Sequence, residues 1–279
     1  MRLKHVAFLQ RKRLICSVAL ASLCLAVLGC SPRGAEAPGT NPQRQSQAEY
    51  DVARDYFYRG QPRLALQHCR RAVELDEENT KALYFASTIY LFFCSGKQEL
   101  RDSDCHLPDA EALVREALKV DPIFREARNT LGQILILEGR YPDAIAVLMP
   151  LTKDPAFESS YLAWGNLGWA QVLAGRLDEG IESLKNSITE PRFCVGHYRL
   201  GVAYEKKGDL SAAEQSLTGA LSVDAPECKT LQDAWGERAH VRVRLGKLEG
   251  ARADFERCRD LSPETLTGKT CIEGLARIQ

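Results

Sequence analysis

Residues 194–227 read CVGHYRLGVAYEKKGDLSAAEQSLTGALSVDAPE, and their pattern predicts two short helices joined by a turn. Gly208 is placed to end the first helix, because glycine readily adopts the left-handed conformation of a helix C-terminus. The small residues Gly201, Ala213 and Ala220 should let the two helices approach closely. The larger residues Tyr204 and Leu217 should fill the space between the helices. One such pair cannot bury its apolar face alone, so neighbouring units are expected.

The same pattern recurs along the chain and is that of the tetratricopeptide repeat (TPR), Leu-Gly-x2-Tyr followed by spaced small and apolar residues. Six copies are predicted, at 46–79, 80–124, 125–158, 161–194, 194–227 and 232–265. The second carries an insertion of about eleven residues around Ser95 to Leu107. The repeats predict an all-α, right-handed TPR superhelix (solenoid), and residues 266–279 are expected to form a capping helix.

The N-terminus has the pattern of a lipoprotein signal peptide, predicted to span residues 1–29. A basic start is followed by an apolar run from Leu14 to Leu28 that is short for a transmembrane helix. The run ends Val-Leu-Gly-Cys, which resembles the lipobox and marks Cys30 as the acylated residue, because small Gly29 suits the peptidase. The alternatives are a plain secretory signal or an anchor helix. Residues 30–45 are predicted to be the acylated cysteine and a flexible tether.

The ten cysteines indicate an oxidising compartment, and seven of them follow Cys30. Three pairings are expected from position: Cys94 with Cys105 across the insertion, Cys258 with Cys271 at the cap, and Cys194 with Cys228 between neighbouring repeats. Cys69 is expected to be a buried, unpaired thiol. A metal site at Cys94, Cys105 and His106 is the alternative, but no fourth ligand follows at the usual spacing, so no metal is expected.

Composition argues against several classes of function. The formal net charge is +0, whereas nucleic-acid binders normally carry a basic excess. No nucleophile motif and no strand followed by a glycine-rich loop is present, and the five histidines are scattered. No enzyme activity, cofactor, nucleic acid or small-molecule substrate is therefore expected.

Protein binding is predicted instead, because the first helix of each repeat lines the concave face of a solenoid. The inward positions of repeats one to four are rich in aromatic and aliphatic residues. An amphipathic helix or an extended apolar segment would suit such a groove. The alternative is that some of these side chains pack on the insertion or on each other. The candidate groove residues are Tyr50, Arg54, Phe57, Tyr58, Tyr84, Leu91, Phe92, Ile136, Trp169 and Tyr198.

The lipobox, the tether and six TPRs together resemble the PilF/PilW/Tgl-type lipoproteins of type IV pilus biogenesis. The paired cysteines and the block YLAWGNLGW at 161–169 make the chain look most like the Tgl branch. The resemblance implies a pilotin, lipid-anchored to the periplasmic face of the outer membrane, which binds secretin subunits and promotes secretin assembly. Two other functions remain open: a TPR lipoprotein of outer-membrane β-barrel assembly, and a periplasmic scaffold or adaptor for peptidoglycan enzymes.

Overall fold

The computed structural model describes residues 41–94 and 103–278, and in these ranges it is entirely helical, with fourteen α-helices and no strand. The first three repeats contain α1 (Pro42–Tyr58), α2 (Pro62–Leu75), α3 (Thr80–Phe93), α4 (Leu107–Val120), α5 (Arg125–Leu137) and α6 (Tyr141–Leu148). The others contain α7 (Ser160–Leu173), α8 (Leu177–Ser187), α9 (Cys194–Lys207), α10 (Leu210–Ser222), α11 (Pro226–Lys229), α12 (Gln232–Arg244) and α13 (Leu248–Leu261), and α14 (Leu266–Arg277) follows.

Twelve of these helices form six pairs, the short helix α11 lies between the fifth and the sixth, and α14 packs against the last pair. Within a pair the two helices pack on each other, and each first helix also contacts the first helix of the next repeat. The first helices α1, α3, α5, α7, α9 and α12 therefore lie side by side. This arrangement confirms the predicted all-α solenoid of six helix–turn–helix repeats with a capping helix.

The turn inside a repeat depends on a glycine in the left-handed conformation. Gly208 follows α9 with φ of 87°, and its backbone N–H donates to the carbonyl oxygen of Glu205 at 3.0 Å. A side chain would be strained at this φ, so glycine ends the helix there. Four further repeats use the same device, at Gly60, Gly139, Gly175 and Gly246.

Close contact between the two helices of a repeat depends on a second glycine. A Cβ atom added at Gly201 in α9 would lie 2.5 Å from Cγ of Leu217 in α10, and Leu217 is fully buried. No other residue fits this position without moving the leucine. The leucine side chain thus takes the place that a larger residue at position 201 would fill.

The structure corrects the predicted tether at its C-terminal end. α1 begins at Pro42, inside the segment 30–45, because Asn41 caps the helix by accepting hydrogen bonds from the backbone N–H groups of Gln43 and Arg44. Proline is also well suited to the first turn of a helix. The signal peptide, Cys30 and residues 31–40 lie outside the described residues.

Two local features differ from a regular repeat. α6 ends early at Leu148 and continues as a 3-10 turn over Met149–Lys153, since Pro150 has no N–H to donate to the helix. Between repeats five and six, the short helix α11 fills the connection and carries Cys228.

Three disulfide bonds are present in the described residues. Cys94 at the end of α3 is bonded to Cys105, with Cα atoms 4.7 Å apart, so its thiolate is not available to a metal. Two further bonds join α9 to α11 and α13 to α14, through Cys194–Cys228 and Cys258–Cys271. Cys69 is a buried free thiol, and burial raises its pKa to about 12.

We expect peptide mapping without reduction to recover these three bridged pairs. Cys69 should resist alkylation in the folded protein at pH 8 and react fully after denaturation, because a thiol with a pKa of about 12 is almost wholly protonated at that pH. Mass spectrometry of the alkylated peptides measures both. Rapid native alkylation of Cys69, or bridges joining other pairs, would contradict the structure.

Gly201→Ala is expected to lower the free energy of unfolding by about 1–3 kcal/mol, because the added methyl group overlaps the Leu217 side chain. Gly250→Ala in α13 is the matched control, since the atoms nearest to its Cβ would belong to the flexible Arg242 side chain, at 3.4 Å or more. The control should be neutral or gain up to about 1 kcal/mol of helix propensity. Urea titration followed by circular dichroism measures both, and equal midpoints for the two variants would count against this packing.

Candidate protein-binding groove

Four aromatic side chains of repeats one and two form a cluster on the first-helix face, here called the aromatic cluster: Tyr50, Phe57, Phe85 and Phe92. Phe57 occupies its middle, with its ring centroid 5.4 Å from Phe85 and 5.5 Å from Phe92. Tyr50 meets Phe85 at 5.9 Å. Phe92 remains 52% exposed, so the cluster presents apolar area to solvent.

Arg54 and Tyr58 flank this cluster on α1. The Arg54 guanidinium lies 5.8 Å from the ring centroid of Tyr50 and 6.0 Å from that of Tyr58. The Tyr58 side chain is 78% exposed. These two residues form a polar and aromatic rim, where a partner would meet a cation beside apolar surface.

Phe85 belongs to the aromatic cluster although it was not predicted, and Tyr84 contributes differently from its prediction. Adjacent residues of a helix point about 100° apart. Phe85 therefore reaches back to α1, whereas the Tyr84 ring packs on Phe124 in the loop before α5, at 4.9 Å. The signal in the sequence was a seven-residue spacing, Tyr50 to Phe57 and Phe85 to Phe92, which places each pair on one helix face.

A second feature, the central cleft, lies across α3, α5, α7 and α9 and has a volume of about 290 Å³. Ile136 is 8% exposed and forms part of its floor, while Leu91 and Trp169 are half-buried. Three predicted groove residues thus come together here. The cleft is lined by Leu91, Gln133, Ile136, Leu137, Asn166, Trp169 and Arg199.

A line of polar side chains crosses the cleft from α5 to α9. Asn166 Nδ2 donates to Oδ1 of buried Asn129 at 3.0 Å. Arg199 Nη1 donates to Asn166 Oδ1 at 2.9 Å and to the carbonyl oxygen of Gly165 at 3.0 Å. The guanidinium also lies 5.8 Å from the Trp169 ring centroid. Burial lowers the pKa of Arg199 to about 10, which still leaves the side chain cationic at neutral pH.

Tyr198 is separated from the other predicted groove residues. It lines a smaller cleft of about 200 Å³ between α9, α12 and α14, together with Asp233 and His240. Burial, with the neighbouring carboxylates Asp233 and Glu237, raises the pKa of Tyr198. Tyr198 precedes Arg199 in the same helix, so it faces α12 where Arg199 faces α7.

The groove offers apolar area, aromatic rings and a cation, which are the groups of a protein-binding surface. Within residues 41–94 and 103–278, no group of three or more His, Cys, Asp or Glu side chains is placed to hold a metal ion. None of the helices in those two ranges is both long and apolar enough to cross a membrane.

Comparison with known proteins places the repeats in one class. Profiles of the tetratricopeptide repeat match residues 106–148, 196–226 and 232–265. No curated protein sequence matches the chain significantly.

Solved structures share the fold at low sequence identity. PilW, described as a widely conserved type IV pilus biogenesis factor, is 20% identical with a TM-score of 0.68; the match covers 81% of this chain and 98% of PilW. PilF of Pseudomonas aeruginosa is 16% identical with a TM-score of 0.62, over 82% of this chain and 96% of PilF. A chain of the APC/C hetero-tetramer Cut9–Hcn1 is 15% identical with a TM-score of 0.69; the match covers 86% of this chain and 43% of that one. The chain has the fold of a tetratricopeptide-repeat solenoid, and it shares that fold with PilW and PilF.

Proposed function

We propose that this protein is an outer-membrane lipoprotein that binds secretin subunits and promotes their assembly for type IV pilus biogenesis, acting as a pilotin. The observation that carries the proposal is the partly exposed aromatic cluster on the first-helix face, together with the central cleft, to which the same helix α3 contributes Leu91. The extent of the structural match supports the choice of process, since it spans 98% of PilW and 96% of PilF. The paired cysteines and the block at 161–169 support the Tgl branch.

Attachment to the membrane comes from acyl chains on Cys30. Buried CH₂ groups hold such chains in a bilayer, and several chains together give stable attachment. Ser31 follows the acylated residue and favours export to the outer membrane. The repeats then work in the periplasm, where the disulfides persist because the compartment is oxidising.

Binding protects a secretin subunit before it enters the ring. A subunit destined for the membrane exposes apolar or amphipathic segments in the periplasm. The aromatic cluster and the central cleft cover one such segment, burying apolar surface on both partners. Contacts between subunits in the ring replace those with the groove, so release needs no nucleotide and follows from competition with oligomerisation.

Deletion of the gene is expected to abolish heat-resistant secretin multimers while secretin monomers remain. Phe92→Asp should reproduce much of this loss, because removal of an aromatic residue that anchors a partner costs about 2 kcal/mol or more, a factor of about 30 in affinity. Leu248→Asp is the matched control: Leu248 is 50% exposed, close to the 52% of Phe92, but lies on the second helix of repeat six.

Immunoblots of membranes boiled in detergent measure the multimers. Normal multimers and pili in the deletion strain would reject the pilotin function. Loss of β-barrel proteins in general, or of peptidoglycan integrity, would instead favour one of the two other functions. Equal losses for Phe92→Asp and Leu248→Asp would show that the aromatic cluster is not the binding surface.

Cys30→Ala is expected to remove acylation and to remove the protein from the outer-membrane fraction. The variant should instead keep its signal peptide or appear in the soluble periplasmic fraction. Incorporation of a labelled palmitate analogue and density-gradient fractionation measure the two effects. Cys24→Ala provides the control, since large Leu23 precedes it, and should be acylated normally. Continued labelling of Cys30→Ala would place the lipid on another residue.

A further inference from the structure

We propose that Arg199 binds a carboxylate of the segment that occupies the central cleft, namely an internal Asp or Glu side chain flanked by apolar residues. The proposal rests on the proposed binding function of the groove and names the chemistry of the bound segment. It follows from the position of the guanidinium, from the hydrogen bonds that it makes, and from the surfaces on either side of it.

The hydrogen bonds of Arg199 leave most of its donors unused. A guanidinium has five N–H donors. Both of its bonds to protein come from Nη1, and both acceptors are neutral oxygens, on Asn166 and Gly165. Within the described part of the chain, Nε and Nη2 have no acceptor, and no carboxylate lies within 4.0 Å of the side chain. The edge that would grip a carboxylate with two parallel bonds is therefore open.

Two other arginines that are buried or partly buried, Arg238 and Arg242, do have carboxylate partners. Arg238 also lies near a tryptophan ring, and it binds both carboxylate oxygens of Asp254, at 2.8 and 2.7 Å. Arg242 pairs with Asp254 at 2.8 Å and with Glu214 at 3.0 Å. The two arginines of α12 in repeat six are therefore neutralised by carboxylates, whereas Arg199 in repeat five is left with only neutral partners at the groove.

A cation that is partly desolvated without a counter-ion favours binding of an anion. Desolvation of a charge is costly, and a bidentate carboxylate offsets that cost. The lowered pKa of Arg199 has the same origin, burial without an opposite charge. Apolar Leu91, Ile136 and Leu137 line the same cleft, so the flanking residues of the bound acid should be apolar.

The layout of the groove favours an acidic side chain over a free C-terminus. The aromatic cluster lies on α1 and α3, on one side of the cleft. On the other side, α9 contacts α12, so the first-helix face continues past Arg199 toward repeat six. A segment lying along this face extends in both directions from its acid, which places the acid inside the segment.

The test uses a phage-displayed library of random 12-residue peptides with constant sequence at both ends, selected on the immobilised full-length protein in detergent. We expect the selected peptides to contain an Asp or Glu among apolar residues. Replacing that Glu by Gln should weaken binding to the wild-type protein by about tenfold or more, as truncation of a buried charge pair does. Fluorescence polarisation measures the affinities.

On Arg199→Gln, the same Glu-to-Gln change should alter affinity less than about twofold. For Arg199→Lys, the effect of the Glu-to-Gln change on affinity should lie between those of the wild-type protein and Arg199→Gln, since lysine keeps the charge but lacks the planar guanidinium. Selected peptides without an acid, or equal Glu-to-Gln effects on the wild-type protein and Arg199→Gln, would overturn the proposal. So would binding that requires a free C-terminal carboxylate.

Arg199 also bonds to α7, so Arg199→Gln carries a risk of misfolding that a second variant avoids. Gln133→Glu leaves Arg199 unchanged and places a carboxylate on the cleft wall. It should weaken the Glu peptide about tenfold and leave the Gln peptide unchanged, with Gln133→Met as the uncharged control. Unchanged binding of the Glu peptide to a folded Gln133→Glu protein would refute the proposal.

This test is independent of secretin. Coupling between Arg199 and the peptide acid, together with normal secretin multimers in the deletion strain, would support the carboxylate site and reject the pilotin function. Loss of multimers in the deletion strain without that coupling would support the pilotin function and reject the carboxylate site.

Discussion

The crossing of the two helices within a repeat depends on a leucine side chain that lies over a glycine. In repeats three, four and five the pairs are Gly132 with Leu148, Gly168 with Leu184, and Gly201 with Leu217, each sixteen residues apart. An added Cβ would lie 2.5, 2.7 and 2.5 Å from the leucine. All three leucines are fully buried. The backbones of the two helices approach closely at these points. Successive pairs stack with their first helices side by side, and that row of helices forms the groove.

The ends of the array satisfy the same constraint with other residues. At the corresponding positions, repeat one has Ala53 and Cys69, and repeat six has Ala239 and Phe255. The Phe255 ring is fully buried and reaches α14, where a Cβ on Gly274 would lie 2.5 Å from its Cζ atom. A large residue in repeat six is thus accommodated by a glycine in the capping helix, and Cys258–Cys271 joins the same two elements.

Sequence reasoning succeeded where one local pattern determines the structure, and it failed where two repeats must be placed together. Gly208 and Gly201 each act within one repeat, so their spacing was enough to predict the turn and the crossing. Asn41 and Pro42 are also a local helix-start signal, but the polar composition of their surroundings led to the prediction of a tether. Phe85 and Tyr84 have similar chemistry, and their roles differ only through what α1 and the loop before α5 present to them. The binding role proposed for Arg199 could not be predicted from sequence, because it depends on the three-dimensional surroundings of the side chain. Among the described residues, those surroundings contain no carboxylate partner for Arg199.

The two halves of the array are stabilised differently, and this difference bears on where binding occurs. One continuous apolar core runs from Ala53 in repeat one to Ala170 in α7, the first helix of repeat four. Beyond it the apolar clusters are smaller, and two disulfides and the ion pairs of Asp254 and Glu214 hold the remaining helices together. Trp169 ends the first region and Arg199 begins the second, so the central cleft joins an apolar binding surface to a charged one.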